Sequence, residues 1–363
     1  MKKFLHKIHY SKQCNFLQKM VKIGLFLPSF CYFFVVELRN FFYKIGLLRK
    51  VKLDATVISV GNLTTGGTGK TPFTAELAKV CMRLQKRVAI VSRGYGGSLP
   101  LEEISVISNG DEVFYGAKEA GDEPFWLANE AKGVIVITSK NRVEAARLAI
   151  KEFGADVIIL DDGYQHQKLD RDLNLLLVDG QNKFGNEDIL PLGPLREPIR
   201  QVNRADKIVL VNKYPYNEQS VKDCRAYARF LIKNYDKEVF SCHIVTGGFV
   251  HYKYNRAVLE PQNVYAFTGV AQPESFFDCI RAFGHDILVG EVFDDHHSYS
   301  LKDIENISQN FKSSGAQCIL TTQKDFVKIE PLLQNLNEDL PLYVSFQTVE
   351  VEFSSLIEKV ISY

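Results

Sequence analysis

The sequence predicts an α/β fold with a doubly wound, mainly parallel sheet, a second, smaller α/β domain and an N-terminal membrane-interface helix. Three observations lead to this prediction. Short runs rich in Val, Ile and Leu alternate with helical stretches from residue 55 onward. One of these runs leads through a glycine-rich turn into a helix. The first 50 residues are basic and aromatic, unlike the remainder of the chain.

The N-terminal segment, residues 1–50, is predicted to associate with a membrane. Residues 1–53 contain 11 lysines and arginines and one acid, although the net charge of the 363-residue chain is only +1. The apolar run Ile23–Val36 has 14 residues and contains Pro28, so we expect it to be too short to span a bilayer, which takes about 20 residues. Its spacing and basic flanks favour a helix lying on an anionic membrane surface. The alternative is an amphipathic helix packed on the core.

Charge and cysteine usage exclude two further classes of protein. A basic front end on a mildly acidic globule indicates contact with one anionic surface and no general binding of nucleic acid. The seven cysteines are scattered and never spaced as CxxC, which is typical of a reducing cytosol and argues against a zinc cluster. No small-residue cleavage site follows Val36, so a cleaved signal peptide is not indicated.

The first predicted domain, residues 51–225, contains nearly continuous apolar runs of the kind that form parallel strands buried on both faces. Its predicted strands are Thr56–Val60, Val88–Ser92, Val134–Thr138, Val157–Leu160, Leu173–Val178 and Lys207–Val211, with helices at Pro72–Gln85 and Asn141–Phe153. The second, residues 226–363, follows a linker placed within Tyr214–Lys237. Its strands are expected at Val239–Val245, Val264–Thr268, Ile287–Phe293, Cys318–Thr322 and Leu342–Phe346, with helices at Pro273–Phe283 and Leu301–Lys312.

The glycine-rich turn after the first strand predicts a phosphate cradle of the P-loop NTPase type. Its glycines let backbone N–H groups point inward, Lys70 can reach the β- and γ-phosphates, and the Thr71 hydroxyl is placed for Mg²⁺. The usual pattern has glycine where this chain has Thr64. The alternative is a simple turn between strand and helix. The predicted nucleotide-binding residues are Thr64, Thr65, Gly66, Gly67, Thr68, Gly69, Lys70 and Thr71.

Two groups of carboxylates are candidates for the chemistry. Asp161 and Asp162 end a hydrophobic strand, where an acid can hold Mg²⁺ directly or through water, and we expect at least one of them to do so. Asp122 and Glu123 lie just before a predicted helix that begins at Pro124. They suit either a helix cap or a catalytic base.

Three further segments combine polar side chains with turn residues. Asp294–His297 supplies histidines that could tune a catalytic carboxylate or form a solvated pair on a loop. Gly163–His166 and Leu192–Pro198 are of the kind that contact ligands or shape a pocket. Arg142 could clamp a phosphate or pair with an acid.

Taken together, these motifs resemble the tetraacyldisaccharide 4'-kinase family, the lipid A 4'-kinases of Gram-negative bacteria. The resemblance rests on Val60–Pro72, Ser92–Gly96, Gly121–Pro124, Asn141–Arg142, Asp161–His166, Arg171–Asp172, Pro191–Pro198, Phe267–Gly269, Asp295–His297 and Thr321–Asp325. It implies transfer of the γ-phosphate of ATP, with Mg²⁺, to the 4'-hydroxyl of an acylated glucosamine disaccharide 1-phosphate. It also implies a location at the cytoplasmic face of the inner membrane.

The resemblance implies roles for individual residues. Asp122 would be the base with His296 behind it, and His297 is the alternative to His296. Lys70 and Thr71 would hold phosphates and Mg²⁺, with Asp161, Asp162 and Glu123 at the metal end. Phosphate contacts would come from Arg142, His166 and Arg196, supported by Glu123 and Glu197. The chain departs from the family at Gln323, where an acid is expected.

Two other functions remain open at this point. A regulatory or assembly NTPase would use the same cradle as a conformational switch, and a soluble sugar or nucleoside kinase would have no use for the basic N-terminal segment.

Overall fold

The computed structural model describes residues 8–10, 16–213, 218–254, 260–270, 273–294, 297–333 and 339–361. In chain order its elements are α1 (Phe16–Lys44), β1 (Thr56–Gly61), α2 (Lys70–Arg83), β2 (Val88–Ser92), β3 (Ser105–Asn109), α3 (Ala117–Ala120), α4 (Asp122–Glu130), β4 (Ile135–Thr138), α5 (Arg142–Phe153), β5 (Val157–Asp161), β6 (Leu173–Asp179), a 3₁₀ helix (Ile199–Arg204), β7 (Lys207–Lys213), α6 (Glu218–Tyr235), β8 (Glu238–His251), β9 (Asn263–Thr268), α7 (Pro273–Ala282), β10 (Asp286–Val292), α8 (Leu301–Ser314), β11 (Cys318–Thr322), α9 (Gln323–Leu333), β12 (Leu342–Glu350) and α10 (Phe353–Ile357).

Within these residues the strands form a 12-stranded sheet in the order β10-β9-β11-β12-β8-β7-β6-β1-β5-β2-β4-β3. Neighbouring strands are parallel except at two places, β12 with β8 and β3 with β4. The predicted doubly wound, mainly parallel α/β architecture is therefore confirmed. Because the direction reverses between β8 and β12, the strands β12, β11, β9 and β10 run opposite to the strands from β8 to β4.

Helices cover both faces of the sheet, which is why its strands are continuous apolar runs. On one face, Phe73 and Leu77 of α2 and Leu127 of α4 pack in a cluster that also includes Leu356 of α10. On the other face, α5 contributes its buried alanines and Val143 against β1, β2 and β5. The core thus fixes the carboxyl ends of β1 and β5, where the predicted nucleotide site lies.

The predicted boundary between two domains falls within α6. The strands on either side of that helix, β7 and β8, are paired in parallel from Lys207 with Glu238 to Lys213 with Ile244, so the sheet runs continuously across the boundary. The segment predicted as a linker is therefore largely helical. The division into two domains stays a prediction.

The N-terminal segment differs from the sequence prediction in length. Helix α1 has 29 residues with Pro28 inside it, and Gln18–Lys44 is long and apolar enough, by length and composition, to cross a membrane. The expectation that this segment is too short was wrong because the helix continues past Glu37 and Arg39. Both of these charges are paired with arginine or glutamate side chains of the protein body.

Two stripes of different chemistry run along α1. The body-facing stripe is mostly polar and buried, namely Gln18, Ser29, Val36 and Asn40. The outward stripe is apolar and exposed, namely Phe16, Met20, Ile23, Leu27, Phe30, Phe34 and Phe41. An apolar stripe turned away from the body indicates a surface that contacts something other than water.

Candidate active site

The glycine-rich turn forms a network around the side chain of Asn62. Its amide Nδ2 donates to Thr64 Oγ1 at 3.4 Å and to Thr68 Oγ1, and Lys70 Nζ donates to its Oδ1 at 3.2 Å. Thr64 is 7% exposed. The threonine that replaces the usual glycine is thus part of the turn's own hydrogen bonding.

Backbone conformation and space explain the glycine at the start of α2. Gly69 has φ 87° and ψ 22°, a left-handed conformation that favours glycine. A Cβ there would lie 2.4 Å from Ile244 Cδ1 of β8. Gly69 therefore lets the turn pack closely against β8 where α2 begins, and a helix N-terminus is a favourable place for an anion.

The loop Pro191–Pro198 supports the turn from behind. Thr65 N donates to Pro194 O at 2.8 Å, and Arg196 N donates to Leu63 O at 2.7 Å. Tyr10, from the short N-terminal helical segment, donates its hydroxyl to Thr65 O at 3.1 Å. These contacts hold the cradle in place before any nucleotide enters.

The predicted metal-binding carboxylates lie beside the cradle because β1 and β5 are neighbours, with Val60 opposite Asp161. Asp161 is 2% exposed and accepts a hydrogen bond from Thr74 Oγ1 at 3.2 Å. Burial, together with the negative charges of Glu123 and Asp162, raises the pKa of Asp161 to about 7. The nearby cations Lys70 and Arg142 thus only partly offset burial and negative charge at Asp161.

Asp162 faces the cations of the site. Its Oδ1 lies 3.5 Å from Lys70 Nζ, and its Oδ2 accepts from Arg196 NH1 at 2.7 Å. Burial acts to raise the pKa of Asp162, but Lys70, Arg196 and Arg142 outweigh it and hold that pKa below its usual value. Asp162 stays ionised and connects the cradle lysine with the Pro191–Pro198 loop.

Arginines around His166 make the neighbouring region strongly positive. Arg142, the first residue of α5, is 6% exposed and donates from NH1 to Asp162 O at 2.9 Å. Burial, followed by the charges of Arg142 and Arg171, lowers the pKa of His166 to about 4. Among the described residues, His166 Nε2 is buried without a hydrogen-bond partner. A neutral histidine with a free ring nitrogen among arginines is suited to an anionic ligand.

Asp122 is the first residue of α4 and lies far along the chain from the cradle. The adjacent Glu123 is close enough to raise the pKa of Asp161. Asp122 Oδ2 lies 3.4 Å from Lys328 Nζ of α9, and that same ammonium donates to His297 O at 3.2 Å. Sequence reasoning missed Lys328, since the residues it joins are far apart in the chain.

The histidine segment is described only in part. The predicted tuning residue His296, with Asp295, lies outside the described residues. The alternative, His297, has its Nε2 3.4 Å from Asp303 Oδ2, and its ring packs on Phe293. The ring of His297 is thus turned toward Asp303 at the start of α8.

The Thr321–Asp325 segment has a structural role that the sequence left open. Asp325 is fully buried and accepts hydrogen bonds from Thr268 Oγ1 at 2.8 Å, Tyr299 OH at 3.1 Å and Thr322 Oγ1 at 2.7 Å. It ties the ends of β9 and β11 to the loop before α8. Gln323, the unexpected residue, donates from Nε2 to Glu130 Oε2 at 3.0 Å. An acid at that position would face Glu130 with like charge.

Glu197, predicted to support substrate binding, is fully buried. Its two carboxylate oxygens contact Arg39 of α1 and Arg204 of the 3₁₀ helix. In this structure the Glu197 carboxylate therefore joins α1 to the body of the protein. Its role toward a substrate stays a prediction.

Comparison with known proteins identifies the family. The family model LpxK, described as tetraacyldisaccharide-1-P 4'-kinase, matches residues 21–362. This chain belongs to the tetraacyldisaccharide 4'-kinase family.

Individual members of the family are similar over nearly the whole chain. Tetraacyldisaccharide 4'-kinase of Desulfotalea psychrophila is 38% identical over 328 residues, which cover 90% of this chain and 92% of that protein. The Geobacter sulfurreducens kinase is 39% identical over 346 residues, which cover 94% and 93%. The crystal structure of the "apo" form of LpxK from Aquifex aeolicus in complex with ATP matches with a TM-score of 0.75 and 30% identity, over 94% of this chain and 98% of that one. The family resemblance predicted from the motifs is thereby confirmed.

Proposed function

We propose that this kinase transfers the γ-phosphate of ATP to the 4'-hydroxyl of the tetraacyldisaccharide 1-phosphate precursor of lipid A, at the contacts described above. The kinase activity and its place in lipid A biosynthesis come with membership in the family. The observation that supports the proposed site best is the contact of Lys70 and Arg196 with opposite oxygens of Asp162, beside a second carboxylate, Asp161, that Glu123 can influence.

The donor end of the site fits ATP with Mg²⁺. Lys70 and the N–H groups of the glycine-rich turn would hold phosphates, and Thr71 with Asp161 and Asp162 would hold the metal. The fit rests on two observations: Asp161 is buried, and Asp162 Oδ1 is, among the described residues, buried without a hydrogen-bond partner. A divalent cation would satisfy both carboxylates. Oxygen donors from one or two carboxylates and a hydroxyl, completed by phosphates and water, are those Mg²⁺ prefers. The metal would neutralise charge on the transferring phosphoryl group.

Asp122 is proposed to accept the proton of the attacking 4'-hydroxyl. Phosphoryl transfer requires mostly alignment and charge stabilisation, so the carboxylate's position matters more than its basicity. Arg142, His166 and Arg196 would neutralise phosphate oxygens of ATP or of the disaccharide. His296 is proposed to support Asp122 as the base.

The two stripes of α1 support a location at the membrane. The buried stripe extends from Gln18 to Asn40, about 33 Å of helix, so α1 lies along the body over that length. A helix held along the body in this way is proposed to lie in the interface, with its apolar stripe in the lipid, and not to cross the bilayer. Because its ATP comes from the cytosol, the enzyme would then work on the cytoplasmic face of the inner membrane.

An acceptor assay tests the proposed reaction. Transfer of labelled γ-phosphate to tetraacyldisaccharide 1-phosphate is measured in detergent micelles, and hydrolysis of ATP is measured without the lipid. We expect transfer with the lipid and little turnover without it. A regulatory NTPase would instead hydrolyse ATP steadily in the absence of the lipid, and that result would contradict the proposal.

Two variants test the residues. Asp122→Ala should lose most of the transfer and still bind ATP, since the carboxylate acts on the acceptor. Lys70→Ala should lose both, because its ammonium would contact the phosphates of ATP. Asp111→Ala, an exposed acid between β3 and α3, is the matched control. Near-normal transfer by Asp122→Ala would overturn the role of that carboxylate.

A flotation experiment tests the membrane surface. Phe34→Asp places a charge on the exposed stripe of α1 without touching the buried stripe. We expect it to reduce binding to vesicles of phosphatidylglycerol and phosphatidylcholine, whereas Phe230→Asp, an exposed position on α6, should not. Equal binding of both variants would argue for a soluble kinase or a different membrane-contacting surface.

A further inference from the structure

Lys328 connects the candidate base with the segment that carries the histidines. It lies on α9, and its side chain is 11% exposed. Its ammonium is 3.4 Å from Asp122 Oδ2 and donates to the backbone carbonyl of His297 at 3.2 Å. A nearly buried ammonium costs free energy unless it is paired, so these two acceptors explain why the side chain lies there.

The position of α9 is itself fixed at its first turn. Asp325 is fully buried and receives hydrogen bonds from β9, from the loop before α8 and from Thr322. Gln323 reaches Glu130 at the last residue of α4, while Lys328 reaches Asp122 at the first. The two helices therefore run antiparallel, as the reversed direction of β11 requires. Lys328 projects from a held element and not from a loop.

The acidic residues around Asp122 explain why its carboxylate needs the contact with Lys328. Glu123 follows Asp122 directly in the chain, Asp161 lies within electrostatic reach of Glu123, and Asp303 lies beside the ring of His297. In such acidic surroundings a carboxylate without a fixed cation would be repelled from its neighbours. The ammonium of Lys328 offsets that repulsion at Asp122, the first residue of α4.

We propose that Lys328 is a positioning residue of the kinase: its ammonium holds the Asp122 carboxylate and the His297 backbone in one arrangement, so that the base faces the acceptor hydroxyl. This proposal rests on the proposed role of Asp122. Lys328 does not contact the reacting atoms and takes up no proton. It acts through the geometry of Asp122, and a displacement of about 1 Å at such a site costs up to about 100-fold in rate.

The test compares Lys328→Met, which keeps the aliphatic stem, with Lys328→Arg, which keeps the charge. We expect Lys328→Met to lower kcat for transfer by about 10-fold or more while KM for ATP stays within about threefold, because the cradle is untouched. Lys328→Arg should recover most of the rate. Lys253→Met, which removes an exposed pair with Asp339, is the matched control and should behave as the unaltered enzyme. Binding of ATP, measured by calorimetry, verifies that each variant is folded.

A double variant separates this proposal from the proposed function. In the Asp122→Asn background, adding Lys328→Met should lower the residual rate little further, since the carboxylate it positions is gone. Full activity of Lys328→Met, or equal loss in Lys328→Met and Lys328→Arg together with weakened ATP binding, would overturn the positioning role. If Asp122→Ala itself transfers phosphate at a near-normal rate, the failure lies in the proposed function.

Discussion

Replacing Glu197 by glutamine should destabilise the protein strongly. The carboxylate is fully buried, and its oxygens contact Arg39 from α1 and Arg204 from the 3₁₀ helix, whose side chains are 38% and 21% exposed. Removing the acid leaves two guanidinium groups facing each other without a counter-charge. Breaking a buried ion pair costs about 3–5 kcal/mol, and the partial exposure of both arginines places the expected loss near the lower end, at about 3 kcal/mol.

The matched variant is Arg39→Met. It removes the more exposed arginine and leaves Glu197 with Arg204, so the expected loss is only about 1 kcal/mol. Urea unfolding in detergent micelles, followed by the fluorescence of Trp126, the only tryptophan, measures both. For a chain of this size a loss of about 3 kcal/mol corresponds to a decrease in Tm of about 4 °C.

The comparison with substrate kinetics decides between two roles for Glu197. If the buried carboxylate holds α1 and the 3₁₀ helix together, Glu197→Gln loses more stability than Arg39→Met. Any change in KM for the lipid is then smaller than the change in stability. A Glu197→Gln enzyme of unchanged stability and raised KM for the lipid would refute this reasoning and favour direct contact with substrate.

Three further predictions concern separate parts of the protein. Gly69→Ala should weaken ATP binding about 5–10-fold by calorimetry, because of the left-handed φ and the approach to Ile244. Gly116→Ala, which lies outside the cradle and has a φ of −78°, is the control, and equal affinities of the two variants would contradict the argument. Gln323→Glu should lower stability by about 1 kcal/mol in thermal unfolding, less at high salt, through repulsion from Glu130; a salt-independent change would point to another cause. His166 has a folded pKa of about 4, below the unfolded value of about 6.5, so its neutral form contributes stability that is complete above pH 6.5 and is lost as the pH falls toward 4. Relative to His166→Gln, the unaltered protein should lose up to about 3 kcal/mol over that window, and parallel pH profiles of unfolding would show that the histidine is not responsible.

Strands that are continuous apolar runs could be predicted to within a few residues, because burial on both faces leaves a simple pattern. Val88–Ser92 and Cys318–Thr322 coincide with the structure. Strand β3, Ser105–Asn109, was missed because it lies at the edge of the sheet, pairs only with β4, and has only two strongly apolar residues among five. The sequence predicts a linker where α6 lies, because its many charged residues conceal one apolar face, which includes Cys224, Tyr227 and Leu231.

The cradle and the strand-end carboxylates could also be predicted, since each is contiguous in sequence and carries its chemistry in its residue types. The pairing of Glu197 with Arg39 could not, because it joins residues 158 positions apart. The same holds for Lys328 with Asp122. Such contacts depend on how elements pack, and neither spacing nor composition encodes them directly.

The loop Pro191–Pro198 and its flanks touch α1 on one side and the glycine-rich turn on the other. Ser29 Oγ donates to Ile189 O at 2.8 Å and Tyr32 OH to Arg196 O at 3.0 Å, while Pro194 and Arg196 hold Thr65 and Leu63. Deleting α1 to obtain a soluble enzyme would therefore remove the contacts that hold this loop, which in turn holds the glycine-rich turn of the ATP site. Substitutions on the outward stripe alone would leave that support intact. To obtain a water-soluble version for crystallisation or inhibitor screening, it is better to replace the exposed apolar residues of α1 by polar ones than to delete the helix.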